Sequence, residues 1–440
     1  MNQKGFALVM VLVATAVITA VVEEFSYHAR VDFEAAANAR DQLRAEYLAR
    51  SGINLSRLLI KTQASVIDPI NRQMHMDIQI GDFAPLLMKA FGGGDGAAML
   101  GDLLGIGTSS IKGLGVGKGA GFDVEMAPED GKINLNCAGG LNAFTPSSTP
   151  PPTDTTAPTI TNQAQALYAQ LTALFFPPRY NRLFDIPDAD GQYATRDLTA
   201  RALIDWSDID ENQFDPLGAS GNSEDYRYDG LRDPYKAHNN YYDTLEELQL
   251  VKGVGDDFWG AFGELFTVYG SCKVNINAIK AERWPISAAL LRAAAKNPSS
   301  PALQDDVIVS ALAQQIGSLG QLLGGVQSLN DFVAAAKNGG VLPLPPLPGA
   351  PKGTDANSTS LLPPLPGVQP IELNPQNLAM LATVGPRQIY RIDSTGTIER
   401  GKKRVTVHVR AVFDTQHFNQ NTTSTDPTDR MGAWVYWRMD

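Results

Sequence analysis

The densest group of chemically capable side chains lies between residues 205 and 229: Asp205, Asp208, Asp210, Glu211, Asn212, Asp215, Glu224, Asp225 and Asp229. Within it, Asp208-Ile209-Asp210-Glu211-Asn212 sets oxygen donors at alternate positions, the donor type that hard cations such as calcium take up. The spacing is not that of an EF-hand. Gln213 occupies the position of the turn glycine, and Ala219 stands where the closing bidentate glutamate belongs. So many carboxylates in one loop repel one another unless they are screened or metal-bound. A solvated acidic loop and a cation site both meet that condition. Asp185, Asp188 and Asp190, before Gly191, form a smaller cluster with a weaker claim.

Paired carboxylates also serve hydrolysis, but a glycosidase needs them at a set separation across a sugar-binding cleft. Adjacency in a loop does not supply that, and Trp206, Tyr226 and Tyr228 are read as packing residues. The five histidines (His28, His75, His238, His408 and His417) are scattered, with neither HExxH nor GxSxG in the chain. The expectation is therefore a protein without a catalytic site. Residues 243–266 read as two short helices around Lys252-Gly253-Val254-Gly255. That hairpin resembles the helix-hairpin-helix modules whose backbone amides receive DNA phosphate. Glu246, Glu247, Asp256 and Asp257 crowd it and would repel a phosphate chain. The net charge of -11 likewise argues against nucleic acid as a partner. GVGKGA, residues 115–120, is not a P-loop: Lys118 is followed by Gly119 rather than Ser or Thr, and Lys112 stands where the first glycine belongs.

The elements that must carry these residues begin with MNQKGFALVMVLVATAVITAVV, residues 1–22. An uncharged apolar run from Phe6 to Val22 comes after a leader whose one charge is Lys4. At roughly 17 residues it sits at the short end of the range for a membrane span. Lys4 before it and Glu23 and Glu24 after it favour the leader inside and the bulk outside. A secretory signal would place its cleavage site after the apolar core. Here the attractive junction, Gly5-Phe6, precedes the core, and cutting there keeps the apolar helix on the mature chain. No proline or turn cluster interrupts the helical pattern before about Thr62, which gives one helix of about 85 Å. Beyond Val22 it turns amphipathic, with Leu43, Tyr47, Leu55, Leu58 and Leu59 on a stripe and Arg40, Arg44, Arg50 and Arg57 off it.

A chain of 440 residues suggests two or more folded units. Residues 92–121 are dense in glycine. Phe122, Val124 and Met126 alternate with Asp123 and Glu125 as a half-buried strand does. Glu129-Asp130-Gly131 reads as a turn and Lys132–Cys137 as a return strand. A Pro/Thr-rich linker precedes a largely helical block, and a Pro-rich stretch at 341–370 comes after it. The end is β: residues 387–393 and 404–413 flank Ser394-Thr395-Gly396, read as a turn, and 433–438 read as a last strand. The fold class is α+β, a helical domain inserted in a sheet domain. A short repeat joins the two parts: Ile133-Asn134-Leu135-Asn136 and Val274-Asn275-Ile276-Asn277, with Cys137 and Cys272 nearby. Such strands lying side by side would bring the two sulfurs together. A disulfide and a pair of reduced buried cysteines both remain open.

Several segments resemble, in order, the K-type minor pseudopilin of type II secretion. They are the leader with Met10, PEDGKINLN, ALIDWSDIDEN, SEDYRYDGLRDPYKAHNNYYDTLEELQLVKGVG, TVYGSCKVNINAI and the closing WVYWRM. The resemblance implies cleavage by a prepilin peptidase between Gly5 and Phe6, with methylation of the new terminus. Pilin-like subunits carry Glu at the fifth mature position to neutralise a neighbour's amine; Met10 departs from that. The implied organisation is a leader (1–5), a pilin-type transmembrane helix (6–62) and a pilin-like head begun at 63–137. A linker (138–163), an inserted helical domain (164–340), a Pro-rich linker (341–370) and the head's C-terminal strands (371–440) complete it. The implied role is priming and capping a periplasmic pseudopilus that supports export across the outer membrane. The implied partners are the I- and J-type minor pseudopilins, the major pseudopilin and the prepilin peptidase. The implied location is the inner membrane of a Gram-negative envelope, crossed once, with the head in the periplasm. Calcium in the helical domain is implied as well, carried over to Asp208, Asp210, Glu224 and Asp225. The rival readings are a DNA-uptake or competence-type pilin-like binder and a membrane-anchored periplasmic module.

Overall fold

The computed structural model describes residues 3–74, 78–85, 119–139, 158–184, 193–218, 222–231, 233–322, 325–341, 370–416 and 432–440. The Gly-rich stretch up to 118, both linker interiors and the Asp185, Asp188, Asp190 cluster lie outside those residues. Helix α1 runs from Gln3 to Thr62 without interruption. Its side chains from Phe6 to Val22 are exposed on every face, as suits a segment whose partners are lipid or other helices. Among the described residues it is the one helix long and apolar enough to cross a membrane. It continues through a single π turn, Gln63–Ile67, in which Asp68 N–H donates to Gln63 O, into α2 (Asp68–Met74). Pro69 has no N–H to give to the preceding turn, and one extra residue in the turn absorbs the missing bond. The buried Gln63 side chain fixes the turn: its amide donates to Asp68 Oδ1 at 2.6 Å and its carbonyl accepts from Ile80 N–H at 2.8 Å.

The chain then forms β1 (Ala120–Pro128) and passes into the inserted domain. There β2 (Ile133–Asn134) pairs in parallel with β3 (Phe266–Thr267), and β4 (Val274–Asn275) with β5 (Ala382–Thr383). It returns as β6 (Ile389–Arg400), β7 (Lys403–Asp414) and β8 (Ala433–Met439), giving an antiparallel sheet ordered β1-β6-β7-β8. Two expectations need correction. Lys132–Cys137 does not return along β1; only Ile133 and Asn134 are strand, and they pair inside the inserted domain. Ser394-Thr395-Gly396 is not a turn, because β6 runs through it and the reversal comes at Gly401 and Lys402.

Gly396 has a different reason to be glycine. It lies under α1, where a Cβ would strike the carbonyl oxygen of Ala45 and stand 2.7 Å from Ala49 N. On the helix, Gly52 faces the sheet in the same way, against Ser394 Oγ and Val124. Ser394 Oγ donates to Ala49 O at 2.8 Å across the gap. Small residues on both sides let helix and sheet backbones touch, and Ile53, Ile60, Phe122, Val124, Ile392, Val409 and Phe413 close the core around them. At the far end, ion pairs from Glu34 to Lys403 (2.6 Å) and from Asp41 to Arg400 (2.9 Å) tie α1 to the β6–β7 reversal.

The Asn repeat marks a structural unit used twice. In the first copy, Asn134 Oδ1 accepts from Asn136 N–H, and the Asn136 side chain bonds both N–H and C=O of Tyr242. In the second, Asn275 Oδ1 accepts from Asn277 N–H, and Asn277 bonds both groups of Val326. Two residues beyond each anchor stands a capping box, Thr244 with Glu247 and Ser328 with Asp331, which opens the next helical turn. The first copy is filled by α3 (Gln163–Phe175), α4 (Asn181–Phe184), α5 (Arg196–Asp205) and α6 (Asp256–Phe262). The second holds α7 (Trp284–Ala293), α8 (Pro301–Gln304), α9 (Asp306–Leu322), α10 (Leu329–Lys337) and α11 (Pro375–Leu381). One core spans both copies, from Ile133, Leu135 and Ile160 to Ile371, Leu373 and Leu381. The boundaries expected at 164 and 340 therefore fall inside it. β2 and β4 do not pair with each other, yet Cys137 and Cys272 are disulfide-bonded, their Cα atoms 5.3 Å apart.

The helix–sheet contact leaves no room for a side chain at Gly396. Gly396→Val should cost about 3 kcal/mol, the upper range for overpacking, read as a lower urea midpoint of the detergent-solubilised protein. Gly385, where an added Cβ meets nothing within 4 Å, is the control: Gly385→Ala should leave the midpoint close to wild type.

Candidate metal centre

Helix α5 opens on Thr195, whose side chain accepts from Leu198 N–H, and closes at Asp205. Two further turn bonds, Ser207 and Asp208 N–H to Ile204 O, aim Asp205 and Asp208 to one side. The strand-like bridge between Asn212 and Ser223, with Glu224 N–H donating to Glu211 O at 3.2 Å, returns Glu224 to the same place. Asp205, Asp208 and Glu224 thus offer oxygens within 4.8 Å of one another. Asp208 and Glu224 are 0% and 1% exposed.

The protein supplies little to offset this charge. Asp205 Oδ1 accepts from Phe214 N–H at 2.6 Å, and Arg227 stands 3.9 Å from its Oδ2. Both oxygens of Asp208 and both of Glu224 are buried without a hydrogen-bond partner, as are Asp205 Oδ2, Asp210 Oδ2 and Asn239 Oδ1. Asn239 holds a left-handed backbone, φ 50°, and its amide donates to Asp210 O at 3.1 Å. Every orphan in this group is an oxygen, and none is sulfur or imidazole. That donor set fits a hard divalent cation and not zinc.

The four acidic residues expected as ligands divide. Asp208 and Glu224 lie at the centre, and Asp210 borders it with one buried oxygen. Asp225 lies apart: its Oδ2 pairs with Lys236 at 2.9 Å, and its Oδ1 accepts from Ala237 N–H. The carboxylate in its place is Asp205, whose signal was its position three residues before Asp208, one helical turn away. Asn239 carried no comparable sequence signal. Around the centre, Trp206, Tyr228, Tyr235 and His238 form a chain of ring contacts between 5.1 and 6.2 Å, so Trp206 and Tyr228 pack as expected, whereas Tyr226 is exposed. The Lys252 hairpin packs too: Gly253 lies against Thr199 and Ala194 of the α5 entry.

Burial raises the Asp205 carboxyl to about 7, and burial together with repulsion from neighbouring acids raises Asp208 and Glu224 further. Such groups bind protons more tightly folded than unfolded. Their contribution to stability is full below the unfolded value near about 4 and is lost as pH rises through the folded values. In chelator, the urea midpoint should therefore fall as pH climbs from 4 past 7, by at most about 1.4 kcal/mol per pH unit for each group. Asp208→Asn combined with Glu224→Gln should flatten the slope.

Residues 131–270 match the family model described as type II secretion system protein K, first domain. Among solved structures, the chain is similar to the crystal structure of the GspK-GspI-GspJ complex from the type 2 secretion system of enterotoxigenic Escherichia coli. The identity is 14% over 73% of this chain and 80% of that one, with a TM-score of 0.42. No curated protein matches. The matched domain begins at Gly131, where the chain leaves the sheet, and takes in the first copy of the repeat with its acidic centre. Residues 131–270 of this chain are thus similar to the first domain of type II secretion system protein K.

Proposed function

We propose that this protein is the minor pseudopilin that primes a type II secretion pseudopilus and sits at its tip, with calcium held in the first copy of the inserted domain. The observation that carries the reading is the protein K domain at residues 131–270, on a chain led by a helix with apolar residues bare on every face. After cleavage between Gly5 and Phe6, the Phe6–Val22 segment anchors the subunit in the inner membrane. There it packs with the I- and J-type minor pseudopilins and, below them, the major pseudopilin. Within the bilayer that packing draws on van der Waals contact between helices, because the segment has already left water. An acid at the fifth mature position would pair with the amine of a subunit above; Met10 supplies none. The inserted domain broadens the head and agrees with a terminal position. The role is mechanical, not enzymatic.

Calcium fits the centre because oxygens of Asp205, Asp208, Asp210, Glu224 and Asn239 lack protein partners, and this ion takes six to eight oxygens. The ion would supply charge neutralisation. Asp205 and Asp208 bring the end of α5, Glu224 the returning strand and Asn239 the loop after it.

Mass spectrometry of the N-terminal peptide from membranes should show a chain beginning at Phe6 with one added methyl group. An intact Met1, or a cut beyond Val22, would remove the pseudopilin reading. Calcium at 100 times its dissociation constant should raise unfolding free energy by about 2.7 kcal/mol. Asp208→Asn with Glu224→Gln should abolish that response, and an unchanged response would place the ion elsewhere.

A further inference from the structure

Between the two copies of the inserted domain lies a cavity of about 250 Å³. Ile160, Ala169, Ala173, Phe176 and Leu303 give it apolar walls, and among the described residues Arg292 is the one charged side chain that lines it. The first copy contributes α3 and Phe176 just beyond it. The second contributes Arg292 near the end of α7 and Leu303 in α8. Ile160 is fixed from α11, where the Asn377 side chain accepts from Ile160 N–H and donates to Pro158 O, both at 3.1 Å.

Arg292 is 8% exposed, and its donors are unevenly served. Nε donates to Leu303 O at 3.3 Å and Nη2 to Asp306 Oδ1 at 2.9 Å, whereas Nη1 is buried with no hydrogen-bond partner. Phe176 covers the face of the guanidinium, its ring centre 5.3 Å from the central carbon, and leaves the in-plane N–H groups of Nη1 unanswered. The charge is unmatched as well. Asp306 is shared with Arg179 at 3.3 Å, and the rings of Tyr180 and Trp284 hold Arg179 there. Among the described residues, two guanidiniums therefore divide one carboxylate. Burial holds the Arg292 guanidinium below its ordinary value; Asp306 opposes the shift and Arg179 adds to it.

We propose that this cavity binds an apolar monocarboxylate, with its carboxylate on Arg292 Nη1 and its body between α3 and α8. The site does not depend on the pseudopilin reading. Size and polarity narrow the ligand. An apolar cavity of about 150 Å³ holds benzene, so about 250 Å³ has room for a ring or a short branched chain carrying a carboxylate. It lies below the range of drug-sized ligands, which excludes nucleotides. Water serves the free donor poorly, because cavities with apolar walls stay dry. Phosphate or sulfate would answer the charge but bring more of it into a space that offers no second cation. A single carboxylate matches the surplus and accepts a charge-assisted hydrogen bond. A free acid and the apolar last residue of a peptide both present that chemistry.

The test titrates the full-length protein in detergent with 4-phenylbutyrate, a free acid, and with N-acetylglycylleucine, a chain end, by isothermal titration calorimetry. At least one should bind saturably at one site per chain, and its amide should bind about tenfold more weakly or worse, the loss expected with a hydrogen bond to a charged group. The acid that binds more tightly identifies the source. Arg292→Gln should bind acid and amide alike. Should that variant not fold, Ala169→Leu decides: it fills the cavity without touching the guanidinium and should abolish binding while circular dichroism reports a folded chain. Equal affinity of the wild type for acid and amide, undiminished binding to folded Ala169→Leu, or no saturable binding of either acid would each overturn the site and leave the pseudopilin reading standing.

Discussion

The fold of the first repeat depends on placing Asp208 and Glu224 in a site closed to water with no protein cation against them. Removing a charge from water costs several kcal/mol unless a partner replaces the lost hydration, and here the nearest basic group serves Asp205 alone. The arrangement is coherent only if protons or a cation occupy the centre. Comparison of the two copies shows what is at stake. In the second, the chain passes from the end of α9 at Leu322 to the anchor Val326 almost directly. In the first, residues 206–241 intervene between the same landmarks. Among the described residues that loop has few regular elements of its own: one bridge, a short 3-10 turn and a row of rings in edge-on and tilted contact. Its cohesion comes from Trp206, Phe214 and Tyr228, which bury into the core, and from whatever neutralises the centre that it encloses.

The two halves of the head are joined as firmly as each is built. Lys132 and Glu129 form an ion pair of 2.8 Å at the point where the sheet gives way to the inserted domain, and both side chains are almost wholly buried. Asp130 accepts from Gln388 N–H on the returning chain, and its carbonyl accepts from Asn275 N–H in the second copy. Gly131 then lies directly against the Ala278 carbonyl. Pro128 completes the seam, its carbonyl accepting from the Arg283 guanidinium, so each residue of PEDGK has a packing or bonding duty. A displacement of the inserted domain would have to break this seam before it moved independently of α1.

Some of this was legible in the sequence. The uninterrupted helix to Thr62 follows from the absence of proline, and β1 and β7 from strict alternation at Phe122–Met126 and Val405–Phe413. The Asn repeat was visible as a pattern, although its meaning was not: each asparagine bonds backbone more than 40 residues away, and no local rule reports such contacts. Gly396 misled because glycine serves turns and close approaches alike, and only the position of Ala45 decides between them. The acidic loop was legible as a concentration of donors, while which of them converge was not. Asp225 and Asp205 are separated by which side of the loop faces inward, and that depends on a bridge between Asn212 and Ser223 that composition does not encode.

The π turn shows how two demands on one helix are reconciled. The head requires Gln63 and Asn71 on the same inward face, and both are buried, where Asn71 and Gln63 bond the chain at Ile78. Eight residues of regular α-helix would turn these two positions apart by about 80°. One extra residue in the turn leaves them about 20° apart instead. The correction that keeps the polar pair on the head necessarily carries Val66 and Ile70 to the outside. One helix thus keeps Ile53 and Ile60 on the sheet and Gln63 and Asn71 on the chain at Ile78, and restoring a regular helix there would cost those bonds.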